Sequence, residues 1–451
     1  MAVRRGARLM AVRLGARLMA VVAAVILLPV TAVLTGTPAA AADTRVDNPY
    51  VAAQRYVDPW WSASAAAEPG GAAVADQPTG VWLDRVSLIE GTASSPGLRA
   101  HLNEAVVQDA FGSAPLTIQI VLDDLPDRNC THPVSNGDFS VAADGLNRYR
   151  SEYVDPIAEI LADPAYQRLR IVAIVEPDFL PGLLLPAATS RCAAVQASGA
   201  YPAALRYAVT RLHAVPNVYV YLDASHHGVA GHPDNFGRAA DLLASIAGVT
   251  GGQPSPVHGF TVNVAGYGAL VEPYYNTQMG RPVKSSQWVT GNDYVDELSF
   301  AQAFRQRLIA AGFGSGIGMV IDTSRSGWGG PYRPARTSTS TDVNRFVDES
   351  RTDRRHSVGN WCNQAGAGLG ARPAAIPAAG VDAYAWIKPP GVSDGASVNV
   401  TSPDGLLPDP MCDPAYVQGT VPSGALPYAP AAGQWFGPQF RQLLANAYPP
   451  L

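Results

Sequence analysis

Residues 171–180, IVAIVEPDFL, carry an unbroken apolar run straight into Glu176, Pro177 and Asp178. An apolar run without polar alternation, stopped by proline, is the pattern of a strand buried on both faces, as in a parallel sheet. Carboxylates at the C-terminal end of such a strand commonly do chemistry. Asp before a turn is also ordinary turn chemistry, so this one stretch does not decide the matter.

The pattern recurs along the chain. GVWLD ends at Asp84, TIQIVLDD at Asp124, VYVYLDAS reaches Asp223, GFTVNVA holds Asn263, IGMVIDTS reaches Asp322 and DAYAWIK ends at Lys388. With the first run this makes about seven strands of the length that buried parallel strands take. Helical periodicity fills the intervals over 97–111, 142–162, 201–214, 236–246 and 294–311, and a last helix is expected over 435–448. In 451 residues, 47% hydrophobic and 15% charged, there is material for one large core and little room for disorder. Alternation on this scale predicts a single α/β barrel whose polar strand ends gather at one mouth. A doubly wound open sheet is the alternative, but no G-x-G-x-x-G follows the first strand. The connections 323–381 and 389–433 exceed ordinary loops and read as lids over the mouth. Each holds one cysteine, Cys362 and Cys412, so a bridge between them would pin both.

Arg4, Arg5, Arg8, Arg13 and Arg17 precede an apolar stretch over 18–33 and then small residues, which predicts a secretory signal peptide over 1–42 and a mature domain over 43–451. The Arg4-Arg5 pair lacks the apolar pattern of twin-arginine export, and the general route is favoured. No later run is long enough to span a bilayer. Four cysteines in an exported chain predict two disulfides, with three connectivities open. The net charge of −5, with Lys284 and Lys388 as the only lysines, points to no nucleic acid and to a GC-rich bacterial source.

Aspartates at strand ends, Trp82 and Trp361 near the mouth, no metal-ligand spacing and export together suggest polysaccharide hydrolysis. Paired carboxylates cleave acetals, one protonating the leaving oxygen while the other activates water or attacks. Tryptophan faces stack on sugars, although core packing explains a lone tryptophan as well.

At this point the chain resembles glycoside hydrolase family 6, the inverting cellulases, over nearly all of its mature length. LPDRNCTHPVSNG (125–137) and IVAIVEPDFL resemble the two family signatures. YLDASH, GNWCNQAGAGLG, WIKPPGVSDG and AAGQWFGPQFRQLLANAYPPL follow in family order. DTSRSGWGGPYRP, VDESRTDRR and DPMCDP look most like bacterial exo-acting cellobiohydrolases. The resemblance implies a distorted seven-stranded (β/α) barrel with long loops roofing a substrate tunnel or cleft, and disulfides Cys130–Cys192 and Cys362–Cys412. It implies Asp178 as general acid, its pKa raised by burial beside other carboxylates, and Asp394 as base, directly or through water. Ser135 would hold the nucleophilic water, and Asp84, Asp223, His226 and Lys388 would line the central subsites. Trp82 and Trp361 would be sugar platforms. The implied partner is a β-glucan polysaccharide or oligosaccharide, met by a secreted, extracellular monomer that needs no metal or other cofactor and, once the leader is cut, touches no membrane.

The departures are concentrated. Asn129 stands where the family has an aspartate that raises the acid's pKa and relays a proton, and Asp123 stands where it has a tyrosine linked to sugar distortion. Val229 and His232 replace two product-side tryptophans, and Val392 replaces a glutamate. In one reading Asp123 substitutes for the lost carboxylate by like-charge repulsion of Asp178. In the other, the chain is a weakened or inactive glycan-binding relative. The acid, base and serine remain, which favours the enzyme.

Three decoys are set aside. Gly391 to Gly395 fits G-x-S-x-G, but no helix follows to form a nucleophile elbow. His226, His227 and His232 lack a carboxylate or cysteine to complete a ligand pattern. Asn129 and Asn399 begin formal glycosylation sequons without consequence in a bacterial chain.

Overall fold

All seven apolar runs become strands of one curled sheet. The structure, a computed structural model, describes residues 45–249, 255–397 and 406–451. The leader expected over 1–42 and the sequon at Asn399 lie outside them. The strands are β1 (Gln54–Arg55), β2 (Val81–Leu83), β3 (Leu116–Leu122), β4 (Arg170–Val175), β5 (Val218–Asp223), β6 (Gly259–Val262), β7 (Gly318–Asp322), β8 (Ala374–Ala378) and β9 (Val381–Ala385). Parallel pairing runs β2-β3-β4-β5-β6-β7-β9, with β8 antiparallel on β9 and β1 on the early part of β3. In register, Ile120 faces Ala173 and Ala173 faces Val220.

The ring closes through little. Thr79 bridges Trp386 in parallel, and the Gly80 amide donates to the Trp386 carbonyl at 3.1 Å. A Cβ on Gly80 would lie 2.4 Å from the Ile387 carbonyl oxygen, so only glycine lets these two edges meet. The result is a distorted barrel of seven parallel strands.

The unalternating runs follow from two cores. Ile171, Ala173 and Val175 face outward into the layer under the helices, together with Leu205, Leu212, Phe300 and Phe304. Val172 and Ile174 face inward and fill the barrel with Val121, Tyr219, Tyr221, Val320, Ala383 and Ala385. Each Val, Leu, Ile or Phe among them contributes about 1.5–3 kcal/mol by leaving water, so both faces must be apolar.

Helices Leu98–Ala110, Ala200–His213, Pro233–Ala247, Glu297–Ala310 and Gly437–Ala445 lie where periodicity places them. The expected helix over 142–162 is broken into a 3₁₀ turn at Val141–Ala143, an α turn at Gly145–Arg148, a π-helical turn at Tyr149–Val154 and an α-helix at Asp155–Leu161. Pro156 has no amide to continue the ladder, and the wider turn takes up the mismatch. Helices Pro59–Ala67, Ser190–Ser198 and Val343–Ser350 have weak or short periodicity and were not expected; Asp58, Thr189 and Asp342 cap them.

The two long connections converge over the mouth, and Cys362 is bonded to Cys412; Cys130 is bonded to Cys192, the pairing the resemblance implied. No helix among the described residues is long and apolar enough to cross a membrane. The Cys362–Cys412 link spans 50 residues of sequence. Replacing both cysteines by serine is expected to lower stability by up to about 4 kcal/mol in the loop-entropy picture. Thermal unfolding of oxidised and reduced protein beside that variant checks it: reduction must shift the wild type and leave only the Cys130–Cys192 contribution in the variant.

Candidate active site

The strand ends carry the polar groups, and several are held in left-handed backbone. Glu176 has φ +52°, Asp178 +64°, Asn129 +53°, Ser225 +62° and Asn263 +59°. Non-glycine residues in this region cost of order 1 kcal/mol each and persist only where surroundings enforce them. Here the enforcing contacts are hydrogen bonds between strand ends. The Asp178 amide donates to Asp223 Oδ2 at 3.1 Å, and the Ser225 amide to the same oxygen at 2.8 Å. Asp223 Oδ1 accepts from Thr261 Oγ1 at 3.2 Å, tying β4, β5 and β6 together. The Asp178 carboxyl is half-buried, less enclosed than a strand-end position implied.

Beneath it lies a buried acidic floor. Glu176 accepts from the amides of Asp124 (3.0 Å) and Leu125 (3.1 Å) and from Tyr149 Oη (2.7 Å). Tyr153 Oη accepts from the Asp123 amide at 2.9 Å and donates to the Leu83 carbonyl. The π-helical turn that holds these two tyrosines thus supports the ends of β2, β3 and β4. Burial pushes Glu176 up to about 8, with Asp123 adding repulsion, and pushes Asp124 up to about 9. Burial is also the main reason Asp223 rises to about 7.

Asp123 faces Arg128, with Oδ2 to Nη1 at 2.6 Å. Burial raises its pKa; Arg128 opposes that, while Asp84 and Asp178 add to it. Asp123 is therefore within electrostatic reach of Asp178, but its charge is shared with a guanidinium. Asp84 pairs with Arg85 at 3.1 Å. Burial pushes Asp84 up, but Arg128, Arg85 and Lys388 outweigh it and hold it below the ordinary range.

Across the mouth, Asp394 receives both its oxygens' bonds from Arg325 Nη1 (2.8 Å each), with Tyr267 Oη and the Asn363 amide on Oδ2 at 2.8 Å. Lys388 Nζ lies 3.8 Å from its Oδ1. Burial opposes the charge, but Arg325 and then Lys388 outweigh burial and hold this carboxyl below its usual range. Lys388 also sits 5.0 Å from the centre of the Trp82 ring, and Trp82 Nε1 donates to the Ile387 carbonyl at 2.9 Å. Ser135 is half-buried on the loop after β3. Trp361 is half-buried, with the His132 ring stacked on it at 4.8 Å between centroids and 17° between planes.

One expectation fails. A carboxylate does join the histidines: Glu297 Oε1 lies 2.6 Å from His227 Nδ1, and His226, His227 and Glu297 form a compact cluster in which His232 takes no part. Sequence could not show this, because Glu297 comes from the start of a distant helix. Burial disfavours the charged His227, but Glu297 outweighs it and raises its pKa, so the two form an ion pair. His226 Nδ1 accepts from the Gly228 amide at 3.2 Å, which leaves Nε2 as its donor. Ser393 is no nucleophile: its hydroxyl donates to the Pro430 carbonyl at 2.9 Å. Arg128, Arg325, Tyr267 and Glu297 were not singled out from sequence; an Arg inside each of two recognised motifs was the available signal.

This arrangement, a seven-strand parallel barrel with carboxylates on opposite walls of its mouth, has known counterparts. The sequence profile of glycosyl hydrolases family 6 matches residues 40–447. The chain belongs to that family. It is 44% identical over 435 residues to exoglucanase A of Cellulomonas fimi, covering 92% of this chain and 50% of that protein. The chain thus spans about half the length of that relative. It is 32% identical to 1,4-beta-D-glucan cellobiohydrolase C of Emericella nidulans, over 90% of this chain and 80% of that one. Among solved structures, the catalytic domain of Cellulomonas fimi Cel6B superposes with TM-score 0.86 at 43% identity, covering 90% of this chain and 96% of that one. Cellobiohydrolase II of Humicola insolens, in complex with glucose and cellotetraose, gives 0.69 at 31%, covering 90% and 100%.

The family member's buried acids give a pH signature. Glu176 and Glu272 (about 8), Asp223 (about 7) and Asp124 (about 9) favour the protonated form in the fold. Their stabilisation is complete below the unfolded range of about 4 and is lost as pH rises through those values. Asp84, Asp394 and Glu297, held low, give theirs above about pH 4. The melting temperature is therefore expected to peak near pH 5 and fall steadily towards pH 9. A profile that is flat or rising over that interval, in scanning calorimetry at constant ionic strength, contradicts the burial assignment.

Proposed function

We propose that this chain is an exported, inverting glycoside hydrolase that cuts β-1,4-glucosidic bonds of cellulose or a related β-glucan, releasing cellobiose from chain ends. Asp178 is the acid. The observation that carries the reading is its placement: a half-buried carboxyl at the end of β4, held in left-handed backbone by Asp223 and opposed across the mouth by the Asp394–Arg325 pair. The names of the relatives, exoglucanase and cellobiohydrolase, support the substrate class and the exo mode.

In the reaction Asp178 gives its proton to the glycosidic oxygen as the bond to the anomeric carbon breaks. Water enters from the opposite face, which requires carboxyl groups roughly 6.5–9.5 Å apart. The water is held near Ser135, and its proton passes to Asp394 through an intervening water. Because Asp394 already accepts from Arg325, Tyr267 and Asn363, it is a weak base. It takes the proton late, once the water oxygen has bonded to carbon and become acidic. Lys388 and His226 Nε2 are donors for sugar hydroxyls, and Trp82 and Trp361 are the aromatic surfaces.

Asn129 cannot exchange a proton with Asp178, so Asp123 supplies the neighbouring carboxyl. The Arg128 pairing, at 2.6 Å, weakens that substitution and favours the second reading, a glycan-binding relative with slow turnover.

Product release from swollen cellulose and cello-oligosaccharides decides between them. Asp178→Ala is expected to lose about 10²- to 10⁴-fold in rate on natural linkages. It should lose far less on an aryl cellobioside whose leaving group needs no proton. Asp123→Asn is expected to lower the rate and move the alkaline limb of the pH profile to lower pH, and Asn129→Asp to raise the rate. An inactive wild type revived by Asn129→Asp would establish the binding relative instead.

A further inference from the structure

His132 and Trp361 come from opposite walls of the mouth. His132 lies on the loop after β3, six residues before Asp138, whose amide donates to Asp124 Oδ1 at 2.9 Å. Trp361 lies on the connection between β7 and β8, beside Cys362 and two residues before Asn363, whose amide holds Asp394. Strands β3 and β7 are separated by β4, β5 and β6 on one side of the ring and by β2 and β9 on the other. A ring reaching Trp361 from the β3 loop therefore covers the indole face directed across the mouth.

We infer that His132 is a built-in occupant of that face, which a glucan ring must displace before it stacks on Trp361. This rests on the proposed glucan substrate. Two rings 4.8 Å apart and 17° from parallel leave no space for a pyranose between them. The histidine takes the place on the aromatic platform that the apolar C–H face of a sugar ring would take.

The backbone of His132 is fixed, so the gate is its side chain. Its amide donates to the Asn129 carbonyl at 2.8 Å, and Arg191 donates to the carbonyls of His132 (2.6 Å) and Pro133 (3.1 Å). Cys130–Cys192 anchors the start of the loop. Asn136 exchanges two hydrogen bonds, each 2.9 Å, with the backbone of Leu407, joining the loop to the strap carrying Cys412. Loop opening would break these hydrogen bonds against the tether of the disulfide; rotation about the His132 side-chain bonds breaks only the stack. His132 thus sets the affinity of the subsite at Trp361, and a chain too short to reach that subsite does not feel it.

The test is calorimetric titration of cellohexaose and cellobiose into protein whose turnover is suppressed by Asp178→Ala, with His132 intact, His132→Ala or His132→Phe. Cellohexaose is expected to bind the His132→Ala form about 2- to 10-fold more tightly, the range an aromatic stack is worth. His132→Phe, which keeps an occupant, should stay near the intact form, and Trp361→Ala should abolish the gain. Without ligand, tryptophan emission should rise in His132→Ala and not in His132→Ala combined with Trp361→Phe. Equal or weaker cellohexaose binding by His132→Ala, with the intact form binding normally, overturns the inference and leaves the proposed function standing. Failure of every form to bind, with no turnover by wild type, overturns both.

Discussion

The mouth of this barrel is organised around a guanidinium that water does not reach. Arg325 is fully buried, and an arginine cannot shed its charge, so the fold must supply a counter-charge where Arg325 lies. Asp394 supplies it from the loop after β9, Ala265 offers its carbonyl from the end of β6, and the Tyr267 ring lies under the guanidinium carbon at 4.0 Å. The ends of β6 and β9 are thereby locked to the group that Arg325 carries at the end of β7. Removing one partner from such a pair costs about 3–5 kcal/mol, because the remaining charge stays buried. That cost makes the position of Asp394 a consequence of folding rather than of substrate binding.

The opposite wall solves the same problem in the reverse way. Glu176, Asp124 and Asp223 are at least as buried as Asp394, yet among the described residues Arg128 is the one cation paired on this floor, and Asp123 takes its closest contact. Burial then favours their neutral forms, and backbone amides and tyrosines hold the carboxyls in place. One wall thus holds Asp394 below its usual range, and the other holds Glu176, Asp124 and Asp223 above theirs, with Asp84 held low by its cations beside them.

How much of this was legible in the sequence depends on the range of the interaction. The seven strands were legible because burial on both faces is written locally, as in IVAIV, and Asp178, Asp223 and Lys388 followed as the polar residues that end such runs. The helix through Pro156 was misread, because its wider turn is set by where Tyr149 and Tyr153 must reach, under Glu176 and Leu83. Glu297 beside His227, Arg325 against Asp394 and His132 on Trp361 were invisible for a common reason. Each joins segments far apart in the chain, and no local pattern distinguishes a partnered Arg, Glu or His from a solvated one. The disulfides were legible in number but not in pairing until the resemblance supplied it.

Asn129 and Asp123, two positions that depart from the family pattern the sequence resembles, have distinct surroundings in the structure. Asn129 is held in left-handed backbone at φ +53°, a conformation that Asn and Asp both tolerate, so the backbone does not choose between them. The carboxyl at 123 is bonded to Arg128 at 2.6 Å, so the buried guanidinium has its counter-charge there. From the end of β3 the Asp123 carboxyl is also within electrostatic reach of Asp178, while burial raises its own pKa and Arg128 opposes that rise. Asp123 therefore serves two neighbours at once, and the more closely Arg128 holds it, the less of its charge acts on Asp178.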